Sequence, residues 1–104
     1  MLRNGKKEFI YVLKPVQRLL REGFTELDNK IIKEHFEYLQ KLLSEEKLVM
    51  AGKTEGFDSN TFGIVILKVY SKEEAQELMI NDPAVKENIM ECSIYPYKIA
   101  LSCF

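Results

Sequence analysis

The stretch "TFGIVILKVY" (Thr61–Tyr70) decides how the rest of the chain is read. It is the most apolar segment in the sequence, and it is rich in branched residues that favour extended backbone. Successive side chains of a strand point to opposite faces, so Phe62, Ile64 and Ile66 fall on one side and Val65, Leu67 and Val69 on the other. Both faces are apolar. "EFIYVLK" (Glu8–Lys14) repeats the pattern, with Phe9, Tyr11 and Leu13 opposite Ile10 and Val12, and stops at Pro15. A sheet built on these two strands needs cover on each side.

Working outward, "PVQRLLREGF" is open between a loop and a short helical turn ended by Gly23. A long helix follows. Thr25 can cap it, and Asp28 suits the third position of a capping box. With Leu27 set at about 0° on a helical wheel, Ile31, Ile32, Phe36, Tyr38, Leu39, Leu42 and Leu43 fill an arc from about 20° to about 180°. The helix fades near Glu46. "KLVMAGKTEG" reads as a second strand, and "EGFDSN" as turn chemistry, with Ser59, Asn60 and Thr61 serving the turn. Ser71 and Glu74 form another capping-box pattern, opening a helix to about Asn81; "NDPAVKEN" gives a short extra turn. "MECSIYPYKIAL" closes the chain as a fourth strand, where Pro96 marks a bulge or an edge.

The order is βαββαβ, without repeats or linkers, so residues 1–104 form one domain. This order predicts a ferredoxin-like α+β sandwich: an antiparallel sheet of four strands with two helices on one face. Two helices cover only one face, and a second copy of the chain, sheet against sheet, is the economical cover for the other. A homodimer is the expectation.

Composition narrows the partners. The chain is 46% hydrophobic and 30% charged with a formal net charge of −1, an ordinary globular balance that argues against capture of nucleic acid or an anionic membrane. The opening "MLRNGKKEFIYVLK" lacks the apolar run of a signal peptide, and nothing approaches a membrane span. Cys92 and Cys103 are too few for a disulfide scaffold or a zinc site and read as reduced thiols of a cytoplasmic protein. Neither a glycine-rich phosphate loop nor a nucleophile elbow is present, one histidine with scattered carboxylates offers no metal site, and no cofactor is expected.

That histidine is the chemical signal. His35 falls at about 80°, near the centre of the apolar arc, so a ring able to gain or lose a proton near neutrality points at whatever the helix packs on. It is either a satisfied core histidine or a group placed for acid/base work. A catalytic histidine needs a partner to fix its tautomer, and Asp82 in "NDPAV", after the second helix, is the candidate. Asp before Pro is also the pattern of an N-cap. Arg18 and Arg21 are weaker candidates for binding an anionic substrate group, and Tyr95 and Tyr97 suit a core or dimer interface.

The opening strand, "HFEYLQKLLSEEKLVMAG", the strand pair, "SKEEAQELMINDPAV" and the final "YPYKIA" together resemble the YCII-related family of the dimeric α+β barrel superfamily, over roughly Phe9 to Leu101. The resemblance implies a ferredoxin-like protomer whose sheets pair into a homodimeric barrel. It also implies that His35 and Asp82 correspond to that family's proposed active-site pair. The expected function is then a small cofactor-independent enzyme of isomerase or lyase type, moving a proton on a small cyclic or carbonyl compound. The alternative is a non-catalytic dimer that binds a small metabolite. The turn "EGFDSNTFG" is shorter, and "PVQRLLREGF" longer, than in many members, so substrate size does not carry over.

Overall fold

In the computed structural model, which describes residues 5–103, the elements run β1 (Lys7–Pro15), α1 (Gln17–Glu22), α2 (Glu26–Ser44), β2 (Leu48–Lys53), β3 (Gly63–Val69), α3 (Lys72–Ile80), α4 (Pro83–Lys86) and β4 (Met90–Tyr97). The four strands form one sheet in the order β2-β3-β1-β4, with every neighbouring pair antiparallel. This is the ferredoxin-like α+β arrangement that the alternating pattern predicts. The register sets Tyr11 opposite both Val65 and Ile94, and Leu13 opposite Gly63 and Cys92.

One face of the sheet makes the core. Phe9, Tyr11 and Leu13 of β1 and Val65, Leu67 and Val69 of β3 are buried there against Leu39, Leu42, Ala75 and Met79 of the helices. Alternation sends Ile10, Val12, Ile64 and Ile66 to the other face, beside Met50, Tyr95 and Tyr97, which the ladder pairs with Ile66, Ile10 and Glu8. Ile66 is buried, whereas Met50, Tyr95 and Tyr97 are about half exposed. Residues 98–103 run along one end of this face, where the Ile99 N–H donates to Glu8 Oε1 at 3.0 Å.

The segment "PVQRLLREGF" resolves as helix α1, closed by Gly23 at φ 78°, a left-handed position that glycine occupies without a Cβ clash. Its Leu19 is completely buried and joins Ile31, Ala84 and Ile89 in a second small core. Helix α2 starts as its capping box predicts: Thr25 Oγ1 accepts from the Asp28 N–H at 3.1 Å, and Asp28 Oδ2 accepts from the Thr25 N–H at 2.9 Å. It ends at Ser44 in a double backbone closure, Lys47 N–H to Leu42 O and Glu46 N–H to Leu43 O, with Glu46 left-handed at φ 61°.

Three expectations need correction. The apolar arc of α2 is narrower in practice, because a helix lying on a sheet buries only its central stripe. Leu27, Phe36 and Leu43, at the arc's edges, stand exposed. Phe62 precedes β3 and is also exposed. At α3 only half of the capping box forms: Ser71 Oγ accepts from the Glu74 N–H, but Glu74 Oε1 accepts from Tyr70 N–H instead. Pro96 lies in β4, an edge strand paired only with β1, where its missing N–H costs no ladder bond to a second neighbour. Among the described residues, no helix is long and apolar enough to cross a membrane.

Arg18 of α1 grips Asp28 with two hydrogen bonds, of 3.0 and 2.8 Å, tying α1 to the start of α2. That fork, with the Thr25 N–H and Oγ1, holds the Asp28 carboxyl well below the usual carboxylate range. A carboxyl whose pKa is depressed by folding stabilises the protein above its unfolded value of about 4, and the contribution is lost as pH falls through the folded value. Asp28→Asn should therefore melt at a lower temperature than wild type at pH 7, and the gap should narrow progressively below about pH 4. Parallel thermal melts at pH 7, 4 and 2.5 check this; a pH-independent gap would show that the charge is immaterial.

Candidate active site

Three elements deliver side chains to one point under α2. Tyr11 comes from the helix-facing side of β1 and is completely buried. His35 comes from the middle of α2. Asp82 is the N-cap of α4, with Pro83 at the first helical position, and its exposure is 0%. Asp–Pro fits a helix start because proline has no N–H to leave unpaired and its fixed φ is already helical.

The Asp82 carboxylate collects three hydrogen bonds. Oδ1 accepts from the Ala84 N–H at 3.0 Å and lies 2.6 Å from His35 Nδ1. Oδ2 accepts from the Tyr11 hydroxyl at 2.7 Å. The sequence offered capping and pairing with histidine as alternatives, and the geometry contains both. Each bond answers a physical need, since a buried carboxylate is costly unless donors surround it. Removing one donor from such a group costs about 1–3 kcal/mol.

The acceptor character of Asp82 dictates the histidine tautomer. A carboxylate oxygen accepts, so the short contact places a proton on Nδ1 of His35, and in the neutral ring that leaves the lone pair on Nε2. No described group takes Nε2, and no buried polar side-chain atom among the described residues lacks a partner, so Nε2 reaches open space. The His35 side chain is 17% exposed and forms part of the wall of a cavity of about 590 Å³. This volume suits a small ligand.

The cavity lies between α2 and one end of the sheet, where Leu13, Gly63 and Lys53 are ladder neighbours. Its lining is mainly apolar, with Leu13, Ile32, Phe24, Phe36, Phe57 and Met90 prominent. Asp82 is not part of the lining; it stands behind the imidazole.

The neighbouring titratable groups stay protonated at neutral pH. Burial foremost, and then the Asp82 charge, raise Tyr11 far above the ordinary tyrosine value. Burial and Asp82 likewise push Tyr38 up to about 12, while its hydroxyl donates to Leu78 O at 2.6 Å. Burial and Asp82 also push the Cys92 thiol up. Tyr11 and Tyr38 are therefore donors here, and Cys92 is a poor nucleophile.

Of the four site candidates read from the sequence, the structure brings together His35 and Asp82. Arg18 is engaged by Asp28, Arg21 is exposed in the last turn of α1, and neither lines the cavity. Among the described residues, no three His, Cys, Asp or Glu side chains gather as a metal ion requires. Tyr11 was missed. The sequence signal was a tyrosine on a core-facing strand position, whose hydroxyl must find a partner, but only tertiary structure says which. Phe24 and Phe57 were also missed, because isolated loop phenylalanines carry no periodic pattern.

The fold has solved counterparts. The 5-chloro-2-hydroxyhydroquinone dehydrochlorinase of Burkholderia phenoliruptrix AC1100, solved with 2,5-dihydroxybenzoquinone, superposes with a TM-score of 0.66 at 21% identity, covering 88% of this chain and 93% of its own. An uncharacterized protein of Thermotoga maritima gives 0.57 at 15% identity, over 89% and 99%. A conserved protein of unknown function from Bacteroides thetaiotaomicron VPI-5482, described as a possible oxidoreductase, gives 0.53 at 10% identity, over 92% and 99%. At these identities the likeness speaks for the fold. No curated protein matches the sequence. Residues 9–98 match the family model described as the YCII-related domain, and with most of its length inside that match, the chain belongs to the YCII-related family.

Proposed function

We propose that the protein is a small acid/base enzyme, of isomerase or lyase type, acting on a small cyclic or carbonyl compound in the α2 cavity. One observation carries the reading: Nδ1 of the sole histidine lies 2.6 Å from a buried carboxylate oxygen while its ring lines an apolar cavity. In this reading Nε2 of His35 takes a proton from an acidic C–H or O–H of the bound compound. Asp82 keeps accepting from the Nδ1–H and offsets the positive charge that develops on the ring. In an isomerisation the proton returns to a second atom of the substrate. In an elimination it stays on the histidine as an anionic leaving group departs with its electron pair. Neither sequence of events needs a cofactor. The dehydrochlorinase with the same fold supports the elimination branch, as an enzyme acting on a small compound.

The reading includes a homodimer. Its support is the outer sheet face, where Met50, Tyr95 and Tyr97 are exposed beside Ile10, Val12 and Ile64. Contiguous apolar surface of this kind favours a partner. It also includes a reducing, cytoplasmic setting, in keeping with the free thiols of Cys92 and Cys103.

Proton transfer can be read before the substrate is known. Small cyclic enolisable ketones in D₂O should exchange C–H for C–D faster with wild type than without protein. His35→Gln should lower that acceleration by roughly 10²–10⁴-fold, the worth of a positioned acid/base. Ketones that bind and come away without exchange would favour the metabolite-binding alternative. Sedimentation at micromolar concentration should give a dimer of about 24 kDa, twice the 12.1 kDa chain. A monomer at that concentration would remove the sheet-to-sheet pairing from the account.

A further inference from the structure

Three phenylalanines stand partly or largely exposed around the cavity, and they come from three separate segments: Phe24 before α2, Phe36 on α2, and Phe57 between β2 and β3. An exposed phenylalanine forgoes the free energy of burial, so placement in the open calls for a reason.

Local bonding defines the placement of two of them. Phe24 sits between the Gly23 cap of α1 and the Thr25 cap of α2, a junction that Arg18 and Asp28 also clamp. Phe57 is carried by a tightly bonded connection. Lys53 Nζ donates to Thr54 O at 2.7 Å and to Gly56 O at 3.0 Å. The Asp58 N–H donates to Thr61 Oγ1 at 2.8 Å, and the Asn60 N–H to Asp58 Oδ1 at 2.7 Å. Gly56 just before the ring is left-handed at φ 83°. The two connections meet through their rings: the centroids of Phe24 and Phe57 are 5.1 Å apart, with planes inclined at 58°. This is a favourable tilted pair at the end of the cavity that His35 lines.

The polar lining offers no dominant charge. Lys53 and Thr61 are occupied within the β2–β3 connection. The other charged lining residues, Lys33 and Glu37, are exposed and of opposite sign. The Lys53 ammonium keeps its charge, so Lys33 and Lys53 against Glu37 leave a small positive balance in a lining that is mostly aromatic and aliphatic.

We infer that Phe24, Phe36 and Phe57 set the ligand class: a planar conjugated ring bearing an ionisable hydroxyl, held by face and edge contacts with its oxygen toward Nε2 of His35. This deepens the acid/base reading and rests on it for the role of Nε2. Ring contact itself needs no proton transfer, and the two claims separate in experiment.

The test uses a matched pair of probes, catechol and trans-cyclohexane-1,2-diol, which share hydroxyl number and ring size but differ in planarity. Titration of the native protein is followed by the NMR signals of the single histidine ring and of labelled phenylalanines. Catechol should bind at least about tenfold more tightly than the diol, the scale of one to two good aromatic contacts. It should shift His35, Phe24 and Phe57 together. Phe24→Leu and Phe57→Leu should each erode the preference severalfold. Phe36→Leu, on an exposed helix face, gives a third variant that leaves both connections intact. His35→Gln should keep the ring preference, so that failure of proton transfer alone leaves this inference standing. Equal affinity for the two probes, absence of catechol binding, or an unchanged preference in all three leucine variants would overturn it. So would phenylalanine signals that respond to protein concentration and not to catechol, which identify a second copy of the chain as the occupant.

Discussion

The Asp82 carboxylate, sealed from solvent beneath α2, is the constraint around which the site is arranged. A carboxylate in that position needs donors, and the chain supplies one from each of three elements: the Tyr11 hydroxyl from β1, the His35 ring from α2 and the Ala84 N–H from α4. Satisfying it fixes how the helix sits over the sheet and where the short α4 turn docks. Burial and hydrogen bonding thus account for the fold around Asp82 and for the orientation of the imidazole at once. With Nδ1 held by Asp82 on one side, the ring takes its place in the cavity wall.

The same arrangement concentrates negative field in the core. Its trace is visible on Tyr11, Tyr38 and Cys92, all raised by burial and then by Asp82. A hydroxyl that stays protonated is a dependable donor, so the field that Asp82 creates strengthens the bond that Tyr11 gives back. An apolar cavity lies in front of the imidazole and a satisfied carboxylate behind it. Around it, stability and access are traded locally. The centre of the α2 stripe is buried, while Phe36 at its edge is left open beside the cavity.

Much of this was legible in the sequence. Alternation in β1 and β3 gave the inward and outward faces, and the Thr25–Asp28 capping box gave the start of α2, because both depend on local spacing. His35 stood out for a similar reason: one polar ring at the centre of an apolar arc is a local anomaly. Asp82 was legible only as a choice between cap and partner, and the choice was false because a carboxylate has two oxygens with several acceptor sites. Tyr11 was hidden, since a tyrosine facing a core does not announce its partner 71 residues away. Arg18 was read as a possible anion binder, and its partner proved to be Asp28, a residue already assigned to capping. Helix α1 stayed ambiguous because six residues are too few for periodicity to show.

The central claim is that Asp82 holds the neutral His35 ring as the Nδ1–H tautomer, leaving Nε2 unprotonated toward the cavity. Since the chain contains a single histidine, a long-range ¹H–¹⁵N correlation spectrum of the untagged, labelled protein reads that ring without an assignment campaign. The account predicts, at a pH where the ring is neutral, one protonated nitrogen at Nδ1 and one pyridine-like nitrogen at Nε2, with the two forms mixing in Asp82→Asn and, more weakly, in Tyr11→Phe. A wild-type neutral ring protonated on Nε2 would contradict it.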